Sequence, residues 1–236
     1  MTNWAELSDQ LEGALGLANK PLAITFHDAA SGVDRFQSNM PSPADDGRTG
    51  AVPAGCVFWM HATDQTFSTV AQDHANCSVG SVTHGFLGLM DVMENGDVGA
   101  LLESGWVTPE AAMAVPVVEE QPQEVVYGPL GESPTDPDVV FLRITGRQLM
   151  VLHDAFPDLR IEGKPQCHII AIAKAGEMAA SVGCQLSRVR TQMPNAEVTC
   201  AIPAGQLSDL LESLETTAAA DHAVAQYAAD DMARFA

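Results

Sequence analysis

Cys56, Cys77, Cys167 and Cys184 are the side chains of this sequence with the most chemistry to offer. Cys56 follows Gly55, Cys77 follows Asn76, and Cys167 lies two residues after Pro165, so each falls at the predicted first turn of a helix. Free amides and the helix dipole favour an anion there, which predicts a lowered thiol pKa. The thiolate is the form that binds metal or attacks an electrophile. Cys184 closes a predicted strand in Ser181-Val182-Gly183-Cys184, beside the basic run Ser187-Arg188-Val189-Arg190. The fifth cysteine differs: Cys200 alternates with Val198 and Ile202 on one strand face, the pattern of core packing. The four separate by 21, 90 and 17 residues, with no CxxC pair, so only folding can unite them. Spacing alone leaves a shared site and buried small hydrophobes both open.

By count, four thiolates with no obligatory histidine suit a [4Fe–4S] cluster or a tetrahedral zinc equally. Structural zinc usually takes closely paired ligands, so an iron–sulfur cluster is the preferred reading and zinc the alternative. Two histidines are candidates for catalysis beside such a site. His84 shares the face of Cys77 on a helix predicted from Cys77 to about Met93, seven residues on. That is about 10 Å along a straight helix, too far to share an ion but close enough to act on a bound molecule. His74 precedes Cys77 by three residues and adjoins Asp73, so it suits a fourth ligand or a hydrogen bond to one. The plainer reading of His84 is a satisfied histidine in tight helix packing, which Gly80, Gly85 and Gly88 would permit. His168, beside Cys167, is expected to point to another side of its helix, and Trp59 and Met60 are expected in the core.

Three function classes fit these residues. The first is an iron–sulfur protein with redox or Lewis-acid action on a small molecule. The second is a metal-free cysteine enzyme with Cys77 or Cys56 as nucleophile and His74 or His84 as base. The third is a small-molecule binding or sensing module with a loop as lid. No nucleophile elbow, Walker loop or GxGxxG fingerprint is present.

The elements that must position these residues follow from local pattern. Asn3 and Glu6 form a capping box for a first helix with Trp4, Leu7, Leu11 and Leu15 as its stripe and Gly16 as its stop. Pro21–Phe26, Thr66–Val70, Asp138–Ile144, Ala179–Cys184 and Glu197–Ile202 are predicted to be extended. Residues 29–55, rich in Ser, Pro, Gly and Asp, predict a long loop. Helices are expected over Cys56–Ala62, near Pro109–Ala114, from Thr145 with its Gln148 box partner, and over Gln166–Ala175, with Pro165 in the first turn. Two closing helices are expected within 204–235, an amphipathic one at Leu207–Leu214 and an alanine-rich one after it. Strands and helices mix without βαβ alternation, so the expected fold is α+β, one compact domain over residues 1–236.

Composition narrows the partners. A formal charge of −20 repels nucleic acid and anionic membranes, leaving a small-molecule substrate or a redox partner. Seven of the eleven basic residues fall between Arg143 and Arg190, which suggests a local positive patch. No signal-peptide pattern opens the chain and no stretch has the apolar length of a membrane helix, so a cytoplasmic protein is expected. The amphipathic final helices suit a homodimer contact as well as core packing.

The chain resembles the uncharacterised family catalogued as domain of unknown function 169 along most of its length. The resemblance rests on Gly16-Leu17-Ala18-Asn19-Lys20-Pro21-Leu22-Ala23-Ile24-Thr25-Phe26, on Cys56, and on Asp73-His74-Ala75-Asn76-Cys77 before a glycine-rich helix. It continues through Pro137-Asp138-Val139-Val140, the lone Cys167, Ser181-Val182-Gly183-Cys184 with Arg188, and Ala201-Ile202-Pro203-Ala204. Cysteines at these four places in similar proteins imply one shared cluster site. Leu186 stands where the family often has glycine, two residues after Cys184, which bears on how closely a ligand approaches that turn. The family name implies no activity.

Overall fold

The computed structural model describes residues 2–38, 49–93 and 96–235. The chain opens with helix α1 (Trp4–Leu15), where the Asn3 side chain accepts the Glu6 N–H and Gly16 closes the helix in a left-handed turn, as the sequence predicts. Next come β1 (Leu22–His27), α2 (Val57–His61) and β2 (Phe67–Thr69). Four short helices follow: α3 (Ser78–Thr83), α4 (Leu89–Val92), α5 (Gly96–Glu103) and α6 (Pro109–Met113). The order then runs β3 (Glu124–Pro129), β4 (Val139–Thr145), α7 (Gly146–Ala155), β5 (Arg160–Glu162) and α8 (His168–Lys174). It ends with β6 (Ala179–Ser181), α9 (Gln185–Thr191), β7 (Glu197–Pro203) and α10 (Leu207–Met232).

The strands form one sheet in the order β2–β3–β1–β4–β7–β6–β5, antiparallel except for β5 beside β6, so the fold is α+β. Alternation along each strand builds two cores. Leu22, Ile24, Val139 and Phe141 join one core with Phe58 and Trp59 of α2 and Ile169 and Ile170 of α8. Ala23, Val140, Leu142 and Ile202 turn the other way onto α1, α7 and α10. Cys200 belongs to this second core and is fully buried, as its strand position predicts.

Several elements depart from the sequence pattern. The helix expected from Cys77 to Met93 ends at Thr83, because Gly85 takes φ +79°. A β-carbon at Gly85 would lie 2.7 Å from the carbonyl oxygens of both Glu120 and Val118, so the break is set by a tertiary neighbour. Pro165 precedes α8 instead of entering its first turn, and its peptide bond is cis. Strands β3 and β5 and helices α5 and α9 were not legible as such. The two closing helices are one continuous α10. No described helix is long and apolar enough to cross a membrane.

Most of the bases expected to build a positive patch are drawn into separate contacts. Arg143 makes a bidentate pair with Glu197, Arg147 pairs with Asp221, Arg160 with Glu162 and Glu177, and Lys174 with Glu120. Arg188 donates to the backbone carbonyls of Pro194 and Glu197.

Of the long loop expected over 29–55, residues 39–48 lie outside the described residues. Its described flanks are anchored. Phe36 is buried in the first core, with its N–H on the Ser68 carbonyl at 2.9 Å. Asn76 clamps the segment ahead of Cys56. Its Oδ1 accepts the Gly50 N–H at 3.0 Å and its Nδ2 donates to the Gly50 and Val52 carbonyls at 3.1 and 2.8 Å. Cys77 takes the cap position of α3, its sulfur facing the Gly80 N–H at 3.4 Å. Replacing Asn76 by Ala is expected to cost about 2–3 kcal/mol in urea unfolding, at roughly 1 kcal/mol per hydrogen bond lost. A change below ~0.5 kcal/mol would show that the clamp carries little.

Candidate functional site

Each of the four cysteines occupies the cap position before a short helix: Cys56 before α2, Cys77 before α3, Cys167 before α8 and Cys184 before α9. Cys184 was expected at a strand end. The strand stops three residues earlier, and Val182 and Gly183 turn the chain into α9. The sheet explains how residues up to 128 positions apart meet (184 − 56). Helices α2 and α8 are fixed on the same sheet face through Phe58, Trp59, Ile169 and Ile170, and α3 packs against α8. The four helix starts thereby surround one cavity of about 30 Å³. All four cysteines line it, together with Trp59, His84, Gln166, Leu186 and Ser187.

The sulfurs feel one another. Burial pushes the Cys56 thiol up to about 12, with repulsion from Cys77 and Cys184 adding to it and a hydrogen bond from Ser187 opposing it. Burial likewise holds Cys167 well above its ordinary value, reinforced by Cys77, Cys184 and Cys56, while the Thr83 hydroxyl pulls it back. The lowered pKa expected from helix position is therefore overturned for Cys56 and Cys167. The helices after them span five and seven residues, and their partial charge is outweighed by desolvation and by neighbouring thiols. A bound cation would reverse this balance, because coordination deprotonates a thiol outright.

Unsatisfied polar atoms cluster around the same cavity. Trp59 Nε1, His84 Nε2 and Gln166 Oε1 have no hydrogen-bond partner, and each belongs to a residue that lines the cavity and is at least 97% buried. Two more orphans adjoin it. The Tyr127 hydroxyl is fully buried, and its pKa is raised well above the usual value by burial and then by Cys167 and Cys56. His74 Nδ1 lies against Gly55, where a β-carbon would come within 2.9 Å. Buried polar groups are nearly always paired, so such a concentration marks a place where something else binds.

The two catalytic candidates have different surroundings. His84 Nδ1 lies 2.9 Å from the Gly80 carbonyl, which fixes the proton there and leaves Nε2 a bare acceptor. Burial lowers its pKa to about 4, so the ring is neutral near pH 7. The break at Gly85 leaves His84 on the cavity wall, although the straight helix assumed for it is absent. His74 is buried and contacts Thr69 Oγ1 through Nε2 at 3.0 Å, and its pKa is lowered by burial and then by His84. It is not part of the cavity lining. Its neighbour Asp73 instead binds Arg35 through both carboxylate oxygens, at 3.0 Å each.

His168 turns away to Glu162, 3.4 Å off, as expected. Trp59 is a core residue, its ring tilted against Phe141 with centroids 4.5 Å apart, yet it also walls the cavity, a second role the sequence did not disclose. Gln166, Ser187, Thr83 and Tyr127 were likewise missed, for nothing in their local pattern marks them. Leu186 does line the cavity, so its side chain fills part of the wall. Among the described residues, no three His, Cys, Asp or Glu side chains form the ligand set of a single metal ion.

A family model described as DUF169, uncharacterised ArCR, matches residues 10–213, a span that contains all four cysteines and both histidines. No curated protein and no solved structure matches the chain significantly.

The raised Cys56 pKa has a measurable consequence. Its folded value exceeds the ordinary 9.0, so its contribution to stability is complete below about pH 9 and is lost as pH rises toward about 12. Urea unfolding of metal-free protein should show stability falling over that range, by at most about 1.4 kcal/mol per pH unit for one thiol. Cys56→Ala should fall less steeply, and identical slopes in the two proteins would refute the assignment.

Proposed function

We propose that this chain, which belongs to the DUF169 family, binds an iron–sulfur cluster of the [4Fe–4S] type through Cys56, Cys77, Cys167 and Cys184 and serves redox or Lewis-acid chemistry on a small molecule. The observation that carries the reading is the meeting of four sequence-distant thiols in one cavity, ringed by polar atoms that lack partners. A cluster takes one thiolate per iron and so accepts sulfurs spread around a cavity. A tetrahedral zinc requires them about 3.8 Å apart, from Zn–S bonds of about 2.3 Å. When bound, the cluster would supply electron transfer, or Lewis acidity at an iron with an open position.

The chain's own residues supply the rest. The Ser187 and Thr83 hydroxyls and the Gly80 N–H lie against the sulfurs of Cys56, Cys167 and Cys77. Hydrogen bonds to the sulfurs tune a cluster's potential. The Trp59 N–H is a donor in need of an acceptor. His84 Nε2 is a neutral acceptor on the wall, placed to take a hydrogen bond or a proton from a bound molecule. Apolar walls limit the entry of water.

The metal-free cysteine enzyme is less well supported. Cys56 and Cys167 are held as protonated thiols at neutral pH, and His74 is engaged with Thr69 and is not positioned as their base. A cytoplasmic setting suits unpaired thiols, since all five cysteines are free. For a homodimer, the exposed Val224, Tyr227, Met232 and Phe235 on the far part of α10 and just beyond it offer the available apolar face.

Anaerobic reconstitution with iron and sulfide tests the proposal. A brown protein with stoichiometric iron and sulfide is expected, with incorporation lost in Cys56→Ala, Cys77→Ala, Cys167→Ala and Cys184→Ala and retained in Cys200→Ala. A colourless protein carrying stoichiometric zinc and no sulfide would sink it. His84→Phe should keep its iron and sulfide, whereas a fall in both would make His84 a ligand instead of a proton acceptor.

A further inference from the structure

A second pocket lies on the other side of α3, between the small core of helices α3–α5 and the turn before α8. Its cavity volume is about 40 Å³, small enough to admit only a slender molecule. Its walls come from six segments and are almost wholly aliphatic, with Val82, Leu89, Val98 and Leu101 prominent. Two polar features stand out among the lining residues. Lys164 places Nζ 4.0 Å from the ring centroid of Trp106, and the Thr83 side chain also interacts with Cys167. Among the described residues no carboxylate pairs with Lys164, although the chain carries 31 acidic residues against 11 basic ones. An exposed ammonium without a counter-ion, at an apolar pocket in so acidic a protein, selects one kind of occupant by charge and polarity.

We propose that this pocket binds a small aliphatic carboxylate, its chain among the valines and leucines and its head group at Lys164. Each buried methylene contributes about 0.8 kcal/mol, so the chain supplies most of the affinity. The ammonium orients the molecule and rejects amines. Val79 lines both this pocket and the thiol cavity, which makes the two sites neighbours. The inference stands apart from the cluster, since none of the four cysteines lines this pocket.

Hexanoate is the probe, titrated into metal-free protein and into reconstituted protein, with tryptophan fluorescence and calorimetry as readouts. Saturable binding in both forms is expected, with the fluorescence response abolished in Trp106→Phe while calorimetric binding persists. Lys164→Gln, a change at an exposed residue, should weaken hexanoate by about 3- to 10-fold and relieve discrimination against hexylamine. Ala112→Phe should fill the pocket and block binding, with circular dichroism checking that the variant is folded. Hexylamine binding as tightly as hexanoate to the wild type would overturn the head-group assignment. Saturable binding unaltered by both Lys164→Gln and Ala112→Phe would overturn the location, and no saturable binding would overturn the site. A protein that takes up no iron yet binds hexanoate would refute the cluster alone, and the converse result would refute this pocket alone.

Discussion

Gathering four thiols around one cavity is the constraint around which this structure is arranged. A lone buried cysteine, such as Cys200 in the opposite core, behaves as a small hydrophobe and needs nothing further. Cys56, Cys77, Cys167 and Cys184 instead share a cavity in which burial and the neighbouring sulfurs both disfavour ionising Cys56 and Cys167. The arrangement becomes favourable in ionised form only with positive charge among the sulfurs. That is why the same contacts that make these thiols poor free nucleophiles make them plausible ligands.

The rest of the fold serves to hold four helix starts in place. Strand alternation sends one set of side chains to α2 and α8 and the other to α1, α7 and α10, so the thiol side of the sheet has its own core. Around the cavity the supports are polar. Asn76 ties the chain ahead of Cys56 to the approach to α3, and the Arg35–Asp73 pair secures the turn just before it. Gly85 ends α3 against two carbonyls and leaves His84 facing inward. Polar supports next to polar vacancies distinguish this region from the opposite core, where aliphatic packing suffices.

The surface charge acts at a different level. A net −20 sets which partners approach, but the interior arrangement depends on where the few cations go. Most of those in the second half of the chain are spent on local pairs, such as Arg143 with Glu197. Lys164 is left over aromatic carbon, beside an apolar pocket.

Local chemistry was readable without coordinates wherever one segment decides its own conformation. The Asn3 and Thr145 caps, strands β1, β4 and β7, and the burial of Cys200 follow from neighbours within a few residues. The same holds for the placing of three cysteines at helix starts. Tertiary structure decided what depends on distant partners. The truncation of α3 needs the carbonyls of Val118 and Glu120, and the pairing of β3 needs β1 and β2. The raised Cys56 and Cys167 pKa values need the burial that only folding provides, with the other sulfurs adding to it. The cavity needs the fold as well, because residues 56 and 184 carry no mark in one dimension that they will share a wall.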